Sequence, residues 1–433
     1  MEIAGWGRYP KIDAEIIVPR TGVACIDALK ESGFLIPRGL GRSYGDSSLA
    51  SRVLETSELQ YFQDFDALTG VLACDAGVSL YEILNVFVPK GWFLPVTPGT
   101  RFVTVGGAIA SDVHGKNHHI DGTFCEHVIS FEIALGNGEI VTASPKQNME
   151  LFHATCGGMG LTGVILSARI RLKPIVSSEI LETTIKAQNL DAVLDGFEEY
   201  GGSTYSVAWI DCLAKGSDLG RSLLMIGEHA DDGALRLASK KPVTIPMDAP
   251  TQLLNPLSIK AFNTLYYQKV LQAKQCRRIS FETYFYPLDQ MLEWNRLYGK
   301  PGFLQYQFVI PKSEGRDGMR RILEEIVDSG QGSFLAVIKI FGKQNANYLS
   351  FPIEGYTLAL DFKVSPNVID LLSRLDKLVL QYGGRVYLTK DARMSEKTFK
   401  LGYPRWEEFE AVRSKYHALG KFASLQSRRL GLA

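Results

Sequence analysis

The stretch Pro98-Gly99-Thr100-Arg101-Phe102-Val103-Thr104-Val105-Gly106-Gly107-Ala108-Ile109-Ala110-Ser111-Asp112-Val113-His114-Gly115-Lys116-Asn117-His118-His119 decides how the chain is read. It sets Gly, Thr and Ser beside an Asp, a Lys and three His, too polar and too Gly-dense for a plain core. Small residues let main chain approach a ligand closely, and their N–H groups bind phosphate oxygens. The His and Lys place donors and proton-transfer groups at the same spot. The combination points to a large anionic cofactor with chemistry beside it.

Outward from this block lies a second Gly-rich loop, Pro37-Arg38-Gly39-Leu40-Gly41-Arg42-Ser43-Tyr44-Gly45-Asp46, after the apolar Phe34-Leu35-Ile36. Its backbone amides suit a diphosphate, with Arg38 or Arg42 adding charge. A third motif, Gly158-Met159-Gly160-Leu161-Thr162-Gly163, matches G-x-G-x-x-G. A dinucleotide fingerprint needs a strand before it and a helix after it. Here 149–155 reads as helix and 164–172 alternates like a strand, so a nicotinamide Rossmann site is rejected. The histidines 114, 118, 119 and 127 do not make a metal site, because Gly115 and Asn117 oppose the helix that would align them and no Glu or Cys completes a ligand set.

The 433 residues exceed one ordinary core and imply two domains. Apolar content of 45% and charged content of 22% are those of a globular protein, and zero formal net charge gives no field for nucleic acid. Six scattered cysteines without C-x-x-C suggest neither zinc nor a disulfide framework. No signal-peptide pattern or apolar run of membrane-spanning length is visible. The expected location is therefore cytoplasmic, with peripheral membrane contact left open.

Residues 1–174 alternate short β-type runs with Gly-rich turns. A strand is expected at 71–76, a helix at 79–89 capped by Ser79, and a hairpin of 128–135 with 140–143 across Gly136-Asn137-Gly138. Residues 175–384 read as an α+β sheet with helices on one face. Its strands are expected at 203–211, 284–286, 303–310, 334–341 and 356–362, and its helices at 314–328 and from Ser365-Pro366 to Gly383-Gly384. Residues 385–433 form a C-terminal segment returning to the first domain, with helices in 394–433. The stretch 228–262, with Lys240-Lys241-Pro242 and isolated Leu253, Leu254 and Leu257, reads as a flexible loop or as a lid or membrane-facing segment. Phe303, Gln305 and Gln307 share one strand face. Lys339 sits among apolar residues, which is costly unless it is paired or meets an anion. Lys390 is either a surface lysine or part of the site.

These motifs, in this order, resemble the FAD-binding domain of the vanillyl-alcohol-oxidase (PCMH-type) flavoproteins. The 98–119 block, with Gly39-Leu40-Gly41-Arg42-Ser43-Tyr44-Gly45-Asp46, the run from Gly302 to Pro311, Leu349-Ser350-Phe351-Pro352-Ile353 and Lys390-Asp391-Ala392-Arg393, is similar over nearly the whole chain to the family of oxidase subunits of decaprenylphosphoryl-ribose 2-epimerases. The resemblance implies a two-domain α+β fold: a PCMH-type FAD domain and an antiparallel-sheet substrate domain with helices. It assigns FAD contacts to Arg38, Gly39, Leu40, Gly41, Arg42, Ser43 and Tyr44; to Pro98, Gly99, Thr100, Val103, Thr104, Val105, Gly106, Gly107, Ala110, Ser111, His114, Gly115 and Asn117; and to Gly158, Gly160, Gly163, Val164 and Tyr387. It assigns catalysis to Lys390 and His114, and substrate contacts to Lys116, Trp209, Phe285, Gln305, Gln307 and Lys339. Tyr44 stands where many relatives carry a His bonded covalently to flavin, so non-covalent FAD is implied. Ala359 stands in place of a pocket Cys, and Val207 in place of a small polar residue.

The implied chemistry is oxidation of the 2-hydroxyl of polyprenylphosphoryl-β-D-ribose to a keto sugar, which a separate NAD(P)H-dependent reductase carries on to the arabinose for cell-wall arabinan. Lys390 is the expected cation beside the charge that builds on reduced flavin. His114 is expected to position the substrate or transfer a proton. Lys339, Gln305 and Gln307 are expected to hold phosphate and sugar oxygens. The alternatives are another sugar or alditol oxidase or dehydrogenase of the same fold, and a flavin-binding subunit without catalysis.

Overall fold

The computed structural model describes residues 1–31, 33–237, 242–250 and 252–432. Lys240 and Lys241 of the 228–262 stretch lie outside them.

The first part of the chain builds two larger sheets beside two small two-stranded ones. A parallel three-stranded sheet has the order Glu15–Ile17, Arg52–Glu55, Ile36–Arg38. An antiparallel five-stranded sheet has the order Ile140–Ala143, Val128–Ala134, Val164–Arg171, Val71–Asp75, Phe62–Asp66. Leu80–Phe87 forms a helix because Ser79 and Glu82 close a capping box and Leu80, Ile83, Leu84 and Phe87 fall on one face, all buried. Helix Met149–Thr155 precedes the 158–163 glycines and strand Val164–Arg171 follows them.

Eight strands then form one antiparallel sheet in the order Lys274–Ser280, Glu179–Ala187, Ser222–His229, Tyr205–Ile210, Ala336–Phe341, Gly355–Lys363, Phe303–Pro311, Arg385–Val386. Its two faces differ because side chains alternate along a strand. Ala208, Ile210, Leu304, Tyr306, Phe308, Ile338, Leu358 and Leu360 point into a core shared with helices Leu190–Glu199, Gly315–Ser329 and Pro366–Gln381. Each Leu or Ile fully buried there contributes about 1.5–3 kcal/mol. The residues of opposite parity face away from these helices. Cross-strand register sets Gln307 opposite Ala359, Ala359 opposite Val337, Val337 opposite Trp209, and Trp209 opposite Leu223. Rows on either side of it set Lys339 opposite Thr357 and Gln305 opposite Asp361.

The segment after 385 returns to the first sheets. Leu35 bridges Phe422 in parallel, the Leu35 amide donates to Lys421 O at 2.9 Å, and Arg429 pairs with Asp46 at 2.7 Å. Buried Arg413 donates to the carbonyls of Leu161 and Phe422 at 3.0 and 2.9 Å, fixing helix Trp406–Lys415.

Three local expectations are corrected. Residues 284–286 are not a strand: helix Phe281–Phe285 runs there, its N-cap Ser280 accepting from the Thr283 amide. The 228–262 stretch is not all loop: strand Ser222–His229 enters it, and helix Pro256–Gln268 begins at Asn255, whose side chain accepts from the Leu257 and Ser258 amides. The 334–341 strand begins at Ala336. Strands Glu179–Ala187 and Lys274–Ser280 and helix Leu190–Glu199 are additions to the sequence reading.

Candidate active site

A cavity of about 880 Å³ lies between the glycine loops and the bare face of the large sheet. One wall is main chain. A Cβ on Gly39 would sit 2.4 Å from Thr104 Oγ1, so this glycine lets the 37–46 loop lie against the 98–119 block. Gly41 has φ +63°, a conformation that favours glycine. Thr104 caps helix Val105–Ala110 by accepting from the Gly107 amide at 3.1 Å.

The block itself is pinned through buried Asp112. Its Oδ2 accepts from Asn345 and Asn347 at 2.8 Å each and from Ser350 at 2.6 Å. This set explains why the main chain at Asp112 holds φ +39°, a strained value for a non-glycine residue.

Titratable side chains reach the cavity from both walls. Lys390 Nζ lies 3.8 Å from the Tyr44 ring centroid. Lys116 donates to Tyr284 O and lies 4.1 Å from that ring's centroid. Lys339 has no ion-pair partner among the described residues. Each retains some accessible surface, and all three line the cavity. Burial pushes the Lys390 and Lys116 ammonium groups down to about 7 and that of Lys339 down to about 8; Asp361 acts against this at Lys390, and Glu182 at Lys116. Asp361, beneath the cavity floor, accepts from Gln305 Nε2 at 2.6 Å, and burial raises its carboxyl to about 7.

His114 is buried against the rings of Phe341, Phe351 and Tyr387 at 4.8, 5.5 and 5.1 Å. Its Nε2 lies 3.0 Å from Gln307 Nε2, and its buried Nδ1 has no partner. Burial, reinforced by Lys339, His118 and Lys390, holds the imidazole far below its usual pKa. It is therefore a neutral group at ordinary pH, fitted to orient Gln307 rather than to keep a proton.

Nearly all the residues expected at the site line the cavity, including the departures Val207 and Ala359. Val105, Asn117, Gly158 and Val164 do not. Val105 and Val164 are core residues, Asn117 Nδ2 donates to Pro95 O at 2.7 Å, and Gly158 makes room for the Ala154 carbonyl. Arg38 is committed to main chain, donating to Ala4 O at 2.8 Å, and Arg42 lies 4.0 Å from the Trp6 ring centroid. Trp209 donates to Phe334 O at 3.2 Å and packs on Tyr266, Phe285 joins Phe93 and Tyr205, and Tyr387 donates to Ser111 O at 3.0 Å. The sequence reading missed Trp6, Glu182, Arg277 and Asp289 on the wall and Asp361 behind it. Among the described residues no His, Cys, Asp and Glu cluster could hold a metal ion.

This wall suits FAD. The main-chain cradle fits a diphosphate, and the lysines, short of carboxylate partners, fit the anionic edge of a flavin or a phosphorylated substrate. Residues 22–144 match the family model described as an FAD binding domain. The chain is 38% identical over 452 aligned positions to the decaprenylphosphoryl-β-D-ribose oxidase of Mycolicibacterium smegmatis, covering 99% of this chain and 97% of that one.

The chain belongs to the decaprenylphosphoryl-β-D-ribose oxidase family. As a member of that family it is an FAD-dependent oxidoreductase with an FAD-binding domain of the PCMH type. It is also 31% identical to an uncharacterized protein in the mprA 5′ region of Streptomyces coelicolor, over 82% of this chain and all of that one. Likeness to the D-lactate dehydrogenase of Archaeoglobus fulgidus, at 31% identity, is confined to 33% of each chain. Family membership thus extends across the large sheet, whereas the wider likeness is partial. Among the described residues no helix is long and apolar enough to cross a membrane.

Proposed function

We propose that the chain oxidises the 2-hydroxyl of a polyprenylphosphoryl-β-D-ribose to the 2-keto sugar. The observation that carries this reading is Lys339. It is a half-buried cation without an ion-pair partner among the described residues, on a cavity that continues along apolar Trp209, Leu223 and Val270. A free polyol needs neither the cation nor the apolar extension, whereas a lipid phosphosugar uses both.

In this reading the loops 38–44 and 98–115, with Gly160 and Gly163, hold FAD, which supplies the two-electron acceptor when bound. Lys390 holds positive charge beside the flavin, stacked on Tyr44. His114 orients Gln307 and stays neutral. Gln305 is oriented by Asp361. Lys339 and Lys116 bind the anionic end of the substrate. Tyr44 offers no imidazole for a flavin bond, so FAD is held non-covalently. The division of labour follows 1–174 for FAD, 175–384 for substrate and 385–433 for the segment that delivers Lys390. The keto product is then a substrate for a separate NAD(P)H-dependent reductase, and the lipid tail calls for peripheral membrane contact.

The test is anaerobic mixing of the holoenzyme with polyprenylphosphoryl-ribose. Bleaching of the flavin is expected, with release of all flavin to the supernatant on acid precipitation. Bleaching by an alditol but not by the phosphosugar would overturn the substrate assignment. Flavin retained in the precipitate would overturn the non-covalent one.

A further inference from the structure

Helix Pro256–Gln268 has an inner side and an outer side of different kinds. Inside, Ile259 and Asn263 are buried, Asn263 Nδ2 donates to Asp211 Oδ1 at 2.9 Å, and Phe262 and Tyr266, with Val270 just past the helix end, reach the cavity wall. Outside, Leu257 and Leu265, eight residues and about two turns apart, are 81% and 69% exposed with Ala261 between them. Leu253 before the helix and Leu271 after it, the latter 90% exposed, extend the stripe. A helix face turned to water ordinarily carries polar side chains at these positions.

The charge around this face is one-sided. From 249 to 281 the sequence has Lys260, Lys269, Lys274, Arg277 and Arg278 and no Asp or Glu. Arg277 pairs with Glu182, and Arg278 with Glu179 and Asp232. Lys260 and Lys269 have no carboxylate partner among the described residues, and both are exposed. Exposed leucines flanked by Lys260 and Lys269, the latter laid over the Tyr266 ring at 3.4 Å, match an anionic lipid surface, where the leucines enter the headgroup boundary and the lysines meet phosphates.

We propose that helix Pro256–Gln268, with Leu253 and Leu271, docks the protein on an anionic bilayer. This rests on the proposed lipid-phosphosugar substrate and gives its contact with the membrane a location. The same helix lines the cavity from within. A hydrocarbon chain leaving the cavity past Trp209, Tyr266 and Val270 then passes from an apolar wall to a bilayer at the same place.

The experiment uses FAD-loaded full-length protein, with vesicles of phosphatidylcholine alone or mixed with phosphatidylglycerol. Co-sedimentation with the mixed vesicles is expected, weakening by about tenfold or more on pure phosphatidylcholine and falling as salt is raised. The triple variant Leu257→Asp, Leu265→Asp, Leu271→Asp should lose binding by about tenfold or more while keeping its flavin absorbance and melting temperature. Three results would overturn the proposal: wild type that ignores the mixed vesicles, a variant that binds them as wild type does, or a wild-type dimer that the triple variant dissociates without any vesicle binding. Flavin bleaching by detergent-dispersed substrate is recorded in parallel. Its failure alongside intact vesicle binding removes the substrate reading and leaves the docking face standing.

Discussion

Where the 37–46 and 98–119 loops meet the cavity they present glycine-rich main chain, with Tyr44 and Lys116 at its edge; where the eight-stranded sheet meets it, it presents Lys339, glutamines and, one layer back, a carboxylate. The first wall can receive any ligand with a diphosphate, because amides recognise shape and charge. The second favours what answers Lys339 and Lys390, with Lys116 facing them from the 98–119 block. On the proposed reading, cofactor binding rests on the wall where main chain is close-packed by glycine, and substrate choice on the wall set by strand register.

The contrast is broken most directly at Lys390. Lys390→Ala should slow anaerobic flavin reduction about 10²- to 10³-fold with the flavin still bound, as expected when a preorganised charge is removed. An unchanged reduction rate would mean that the sheet wall is structural. At Lys339 the split should fall between substrates. Lys339→Ala should raise KM for a phosphosugar about 10- to 100-fold, the worth of a charge-assisted hydrogen bond, and leave an uncharged polyol unaffected.

Lys116 and Lys339 set a pH window. Their pKa values lie at about 7 and 8 in the empty site, and an anion bound beside them favours the charged form. Binding therefore takes up protons only above these values. KM for the phosphosugar should be flat below pH of about 7 and rise above pH of about 8, by up to about tenfold per pH unit for each lysine involved. A KM that falls with rising pH would contradict cationic recognition. The smallest effect belongs to the main-chain wall. Gly39→Ala pushes Thr104 from its capping position, which costs about 1 kcal/mol, and should weaken FAD about fivefold with kcat of the loaded enzyme retained.

The two walls also differ in how far they can be read from sequence. The glycine wall is contiguous: Gly39, Gly41, Gly106 and Gly107 stand within short runs whose spacing carries the meaning. The order of helix 149–155, glycines and strand 164–171 was likewise local, and it was enough to discard a Rossmann site. The sheet wall depends on register. Gln307, Ala359, Val337, Trp209 and Leu223 form one row only because five distant strands pair as they do. Asp361 was missed for that reason, since nothing near it in sequence marks it as the partner of Gln305. Helix 281–285 was misread because a short aromatic run satisfies strand and helix alike, although Ser280 with Thr283 held the capping signal. Helix 256–268 was announced by Asn255-Pro256 and hidden by its outward leucines, which broke the expected amphipathic pattern.

The Tyr44 amide donates to the Thr389 carbonyl, and the absent Cβ of Gly45 leaves room for the Asp391 carbonyl. The early glycine loop therefore leans on residues made some 350 positions later. On the ribosome, the cradle for the cofactor stays open until the segment beyond 385 has emerged. A chain ending before residue 389 would lack the carbonyls of Thr389 and Asp391 against which this loop is set, so completion of the cleft is tied to completion of the chain.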